Sequence, residues 1–179
     1  MTKSQGILRM DANRLAEEIG MALNTANVSY TVCGSLCRGI SLHVAELEIV
    51  VSDLLTAWNV IHERGNCHGV PLKHSNKGRK AVIEKLFEIP IRLCHAYQEE
   101  WGATQLDFTG NHFFVIQLRS EAKSQGMKLN QYGLWHNENI IAGRTEEQIF
   151  DALGVVFVPP EHRELGARQK LSELLLRRM

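Results

Sequence analysis

Residues 45–51 read Ala45-Glu46-Leu47-Glu48-Ile49-Val50-Val51, and their alternation decides how the first half of the chain is built. Successive side chains of a strand point to opposite faces, so Leu47, Ile49 and Val51 share one face and Glu46 and Glu48 share the other. The pattern predicts a half-buried strand. Two carboxylates two residues apart can hold divalent cations, face water, or be neutralised by a neighbouring cation.

The segments on either side extend this into a small mixed unit. Asp11 or Asn13 is placed to cap a helix running to about residue 25, with Leu15, Ile19 and Leu23 on one stripe. Asn27–Ser35 reads as a strand that ends in a Gly-Ser turn. Residues 53–65 read as a helix started by Ser52 or Asp53 and ended by Gly65. A polar stretch follows, whose Lys73, His74, Lys77, Arg79 and Lys80 form the densest basic cluster in the chain. Residues 81–89 and 89–96 read as two further strands.

Beyond residue 98 the character changes. Residues 98–110 and 111–126 read as helices, each closed by glycine. Residues 127–135 and 137–143 read as short strands around a polar turn. Residues 144–154 form a helix with Thr145 at its N-cap, acids in its first turn and Gly154 at its end. A Pro-rich elbow precedes a tail, 166–179, with helical character and a row of leucines.

Composition narrows the function classes. The chain has 179 residues, with 20 Lys plus Arg against 20 Asp plus Glu, so a nucleic-acid site has to be a local patch rather than a bulk field. No apolar run approaches the roughly 20 residues that span a bilayer, and the start lacks the apolar core of a secretion signal. The expectation is a cytoplasmic protein with no membrane partner. Cys33, Cys37, Cys67 and Cys94 form no C-x-x-C pair and read as free thiols. Trp101 and Trp135 read as core or contact aromatics, with base stacking as the other use.

The chemistry-bearing pattern is the Gly34-Ser35 turn followed by Glu46 and Glu48 on the next strand. Backbone N–H groups and a hydroxyl at such a turn suit a phosphate, and paired carboxylates can hold Mg²⁺ against it. That is the arrangement nucleotidyl transfer uses.

Five segments carry a resemblance, and they occur in order: Gly34–Gly39, Glu46–Val51, Glu99–Asn111, Leu118–Trp135 and Arg144–Glu164. Together they resemble family X DNA polymerases over roughly residues 10 to 165. Phe-Thr-Gly-Asn at 108–111, Lys-Leu-Asn-Gln-Tyr-Gly-Leu-Trp at 128–135 and Ala-Leu-Gly…Pro-Pro-Glu-His-Arg-Glu at 152–164 are the most specific. The resemblance implies an α+β chain. A nucleotidyltransferase palm with a mixed sheet would occupy residues 1–97. A small α/β nascent-pair-binding subdomain would occupy 98–165, with the helical tail after it.

The same resemblance implies site residues. Gly34, Ser35 and Arg38 would bind the triphosphate, with Cys37 in place of a first arginine. Phe108, Thr109 and Gly110 would lie under the nucleotide sugar, with Asp107 where the family has a tyrosine. Arg119 and Tyr132 would face DNA, beside Gln131 in place of an acid, and Lys73, Lys77, Arg79 and Lys80 would grip its backbone. The family's metal-binding Asp-x-Asp becomes Glu46-x-Glu48. Setting these two there requires one additional loop residue; otherwise Ala45 and Leu47 align. The third Asp aligns with Arg92, a fixed cation.

Three functions follow as expectations. The first is a polymerase-like protein with a degenerate two-metal site that binds DNA or nucleotide with little or no polymerase activity. The second is an active Mg²⁺- or Mn²⁺-dependent nucleotidyltransferase, a small gap-filling polymerase with Glu88 or Asp107 recruited as ligand. The third is a protein-interaction module reusing the fold, with a protein partner at the C-terminal helix.

Overall fold

The computed structural model describes residues 6–64, 80–83 and 89–164, which divide into two compact units, residues 1–96 and 97–179. The basic cluster at Lys73, Lys77 and Arg79, Glu88 and the C-terminal tail lie outside the described residues, and of Lys80 only the backbone is described.

The first unit is organised by the strand that 45–51 predicts. It forms as β4 (Leu47–Val51), with Leu47, Ile49 and Val51 fully buried. Val50 is fully buried as well, so alternation holds only at the start of the strand and its end is covered on both faces. This follows from its neighbours. β2 (Tyr30–Cys33) flanks β4 antiparallel, β6 (Ile91–His95) flanks it parallel, and β5 (Lys80–Ile83) completes the sheet in the order β2-β4-β6-β5. Interior strands of such a sheet read as continuous apolar runs.

Two helices bury the sheet. α1 (Arg9–Thr25) presents Ala12, Ala16, Ile19 and Leu23, while Leu15 is only half-buried at the stripe's margin. The helix starts earlier than Asp11 or Asn13. A short ribbon, β1 (Ile7–Leu8) with β3 (His43–Val44), holds the entry, and the Arg9 N–H donates to the Leu42 carbonyl at 2.9 Å. A tertiary acceptor thus does the work of a capping side chain. α3 (Leu54–Arg64) does use the expected cap. Asp53 accepts from the N–H groups of Leu55 and Thr56 at 3.0 and 3.1 Å and from the Thr56 hydroxyl at 2.7 Å. These bonds, led by the Thr56 N–H, hold the Asp53 carboxyl below its ordinary pKa.

The second unit packs α4 (Trp101–Thr109), α5 (His112–Ser124) and α6 (Glu146–Ala152) on a three-stranded antiparallel sheet, β7 (Lys128–Asn130), β8 (Gly133–His136) and β9 (Asn139–Ala142). Residues 127–135 are not one strand. Asn130 folds its side chain back to accept from the Tyr132 N–H at 2.8 Å, breaking the segment into a hairpin. Asn137 and Glu138, both at positive φ, make the next turn. The expected cap forms at Thr145, which accepts from the Gln148 N–H at 3.3 Å, and Asn111 caps α5 by accepting from the Phe113 N–H at 2.9 Å.

The core of this unit holds Leu106, Phe114, Leu118, Leu134, Ile149 and Phe150. One charged pair is sealed inside it. Arg163, with no exposed surface, donates from Nη1 and Nη2 to the two oxygens of Glu146 at 2.9 and 2.5 Å, and from Nε to the Val158 carbonyl at 2.8 Å. Its guanidinium carbon lies 5.5–5.8 Å from the ring centres of Phe114, Phe150 and Phe157.

Candidate functional site

Three strands of the first unit bring the sequence-derived residues side by side. Register sets Cys33 of β2 opposite Glu48 of β4, and Glu48 opposite Arg92 of β6. Gly34 follows Cys33 directly and opens α2 (Gly34–Arg38), so the Gly34-Ser35 turn stands beside Glu48.

The approach is close. Gly34 has φ +75°, and a Cβ there would sit 2.0 Å from Glu48 Oε2. Both the left-handed backbone and the carboxylate over it call for glycine. Cys37 donates its thiol to the Val32 carbonyl at 2.9 Å. Arg38 ends α2, followed by Gly39 at φ +69°.

Glu46 is neutralised by Arg92. Nη2 of Arg92 donates to Glu46 Oε2 at 2.7 Å, with the two side chains 41% and 34% exposed. That exposure places the pair with surface salt bridges, worth about 0–1 kcal/mol. Arg92 Nε is sealed from solvent without a hydrogen-bond partner. Of the three outcomes open to two acids on one strand face, the structure shows the third for Glu46: a neighbouring cation.

Such a donor set does not fit a pair of divalent metal ions. Among the described residues no group of three or more His, Cys, Asp and Glu could hold a metal ion. Arg92 stands in register with Glu48 and bonded to Glu46, so a fixed positive charge lies beside the two acids. Asp107, the other candidate ligand within the described residues, accepts from Arg119 Nη2 at 2.5 Å.

The second unit carries the remaining candidates. Phe108 and Thr109 end α4 as buried residues, and Gly110 follows, where a Cβ would meet the Val115 side chain at 2.4 Å. Arg119 lies on α5, 43% exposed and bonded to Asp107. Tyr132 sits half-buried in the β7–β8 turn. Sequence reasoning missed the buried Arg163–Glu146 pair. Its only trace is an acid in the first turn of α6 and an arginine after the Pro-Pro elbow.

Comparison with known proteins agrees with this layout in the second unit. Residues 104–164 match the family model of the DNA polymerase beta thumb. DNA polymerase IV of Saccharomyces cerevisiae is 32% identical over 74 residues, covering 41% of this chain and 13% of the yeast protein. Repair DNA polymerase X of African swine fever virus (isolate Tick/South Africa/Pretoriuskop Pr4/1996) is 34% identical over 75 residues, 41% of this chain and 43% of the viral one. The Badajoz 1971 strain's protein is 33% identical over the same length. The chain is therefore family X polymerase-like, and it spans less than half the length of these relatives. Its mixed α/β architecture is consistent with a polymerase beta-like fold, and no helix among the described residues is long and apolar enough to cross a membrane.

Proposed function

We propose that the chain binds DNA or nucleotide as a polymerase-like protein with little or no polymerase activity. In this reading residues 1–97 are a nucleotidyltransferase palm, residues 98–165 the nascent-pair-binding subdomain and residues 166–179 a tail available to a protein partner. Gly34, Ser35 and Arg38 receive the phosphates, Phe108, Thr109 and Gly110 the sugar, and Arg119, Tyr132, Lys73, Lys77, Arg79 and Lys80 the DNA. The names of the yeast and viral relatives, polymerases and in the viral case a repair polymerase, support a role at DNA.

The observation that carries the reading is the Arg92–Glu46 bond at 2.7 Å, with Arg92 in register with Glu48. A cation bonded to Glu46 and in register with Glu48 competes with a divalent ion for the Glu46 oxygens. Nor can it accept a proton from an attacking hydroxyl, since arginine stays charged. The groups that remain for phosphate in this reading are a glycine turn, a serine hydroxyl and the Arg38 guanidinium.

A second reading is an active Mg²⁺- or Mn²⁺-dependent nucleotidyltransferase. It is favoured by Glu48, whose carboxylate lies directly over the Gly34-Ser35 turn.

Primer extension on one-nucleotide-gapped DNA separates the two. Wild type, Glu48→Ala and Arg92→Asp are compared with Mg²⁺ and then Mn²⁺. The proposal expects gapped DNA to be bound in a salt-dependent way, no extension by wild type, and extension appearing in Arg92→Asp. Extension by wild type that Glu48→Ala abolishes would overturn it in favour of the enzyme.

A further inference from the structure

We infer that the outer face of the second unit's sheet is a stacking platform for one unpaired nucleotide of single-stranded nucleic acid, centred on Trp135. It deepens the DNA-binding reading above and rests on it.

The face is built by register. Leu129, Leu134 and Ala142 turn inward and are buried. Alternation then turns Lys128, Asn130 and Trp135 outward, with Lys128 directly opposite Trp135 and Ile140 opposite it on the other side. Cross-strand partners lie within reach of each other's side chains. The indole is thus flanked by a cation and an amide on one side and an aliphatic on the other.

The ring is oriented for its face rather than its nitrogen. Nε1 is sealed from solvent with no hydrogen-bond partner and lies 3.7 Å from where a Cβ of Gly133 would stand. A buried tryptophan N–H ordinarily finds a partner. Here the ring lies along β8 over a glycine that has no side chain to obstruct it, and the polar handle goes unused. What remains usable is the π surface.

Trp135 borders a cavity of about 390 Å³ formed with Met127, Lys128, Asn130 and the Asn137–Glu138 turn. The volume suits a base with its sugar. Lys128, exposed, is placed for the adjoining phosphate, and the Asn130 side-chain N–H₂, whose Oδ1 is taken by the Tyr132 N–H, for an acceptor on a base edge. The Glu138 carboxylate disfavours a second phosphate inside the cavity, which limits the platform to a single stacked nucleotide. An aromatic ring beside a lysine on an open sheet face is how sequence-tolerant single-strand binders hold bases. A purely apolar peptide would leave Lys128 without a role.

The test uses the full chain with two labelled probes, a short oligothymidylate and a blunt duplex, read by anisotropy and by intrinsic tryptophan fluorescence. Wild type should bind oligothymidylate with quenching, and Trp135→Ala should weaken that binding about tenfold with duplex binding unchanged. Trp135→Phe should keep most of the affinity and lose the Trp135 part of the quench, which reads the stacking even if the alanine variant fails to fold. Lys128→Ala should weaken binding and flatten its salt dependence. Equal oligothymidylate affinity in wild type and Trp135→Ala overturns the inference, as does a quench undiminished in Trp135→Phe. If wild type binds duplex but not oligothymidylate, the platform is refuted and the DNA-binding reading stands; if it binds neither, the platform falls together with the DNA part of that reading.

Discussion

Each unit of this chain contains a glutamate–arginine pair, and the two are chemically alike but physically opposite. Glu146–Arg163 is buried and bidentate, its third donor is satisfied by a carbonyl, and three phenylalanine rings surround it. Glu46–Arg92 is joined by one bond, is more than a third exposed, and leaves Nε without a partner. Where the core closes over both charges, removing one strands the other in a medium that cannot solvate it. Where water still reaches them, the pair contributes little to stability and its location is free to serve function. The first is a structural commitment of the unit that matches the polymerase thumb; the second stands among the candidate site residues.

The largest expected effect tests the buried side. Arg163→Met should destabilise the protein by about 3–5 kcal/mol, the range for breaking a buried pair, measured by denaturant unfolding of the full chain. Replacing Glu146 as well with a residue of similar volume should recover much of the loss. A cost below 1 kcal/mol would erase the contrast between the two pairs.

Gly34→Ala should come next, at about 1–3 kcal/mol from the left-handed backbone alone. It should also displace the Glu48 carboxylate, visible as altered nucleotide binding measured by calorimetry. Unchanged stability and binding would mean that Glu48 does not depend on the turn.

Asp53 sharpens the comparison from another direction, as an exposed acid whose worth comes from hydrogen bonds rather than an opposite charge. Asp53→Ala should cost about 1 kcal/mol at neutral pH. Its pKa is lowered in the folded state, so its stabilisation is fully present above the unfolded value of about 3.9. It is lost as pH falls through the folded value. The gap between wild type and variant in acid titrations of stability should therefore close below pH ~4 and stay open above it.

The smallest effect belongs to the exposed pair. Arg92→Ala should change unfolding stability by less than about 1 kcal/mol. A loss comparable with that of Arg163→Met would show that the pair holds the sheet together.

How much of this was legible depends on where the determining interaction lies. Leu47, Ile49 and Val51 announce β4 because alternation is local, and Thr145 and Asp53 announce helix starts because capping spans only a few residues. The start of α1 was misplaced because its first N–H is met by Leu42, far along the chain. The hairpin at 130–133 was hidden inside a segment with strand character because a single asparagine side chain breaks it. Glu46 and Glu48 could be found as a pair. The bond from Arg92 to Glu46 is a cross-strand contact that residue types suggest but spacing cannot establish. Arg163 was invisible for a stronger reason: an arginine after a proline elbow reads as surface, and nothing local signals three rings and a carboxylate waiting for it.

The register that pairs Leu47 with Ile91 carries a kinetic consequence. β4 and β6 are parallel, so they meet only after the chain between them, including α3 and β5, has been made and looped back. The second unit's strands instead follow one another through short turns. Loop-closure entropy therefore slows the sheet of the first unit far more than that of the second. Although translated first, the amino-terminal half completes its sheet through the more distant encounter. Arg92 reaches Glu46 only once that encounter has occurred, which makes the ion pair a timestamp on the closing of the sheet.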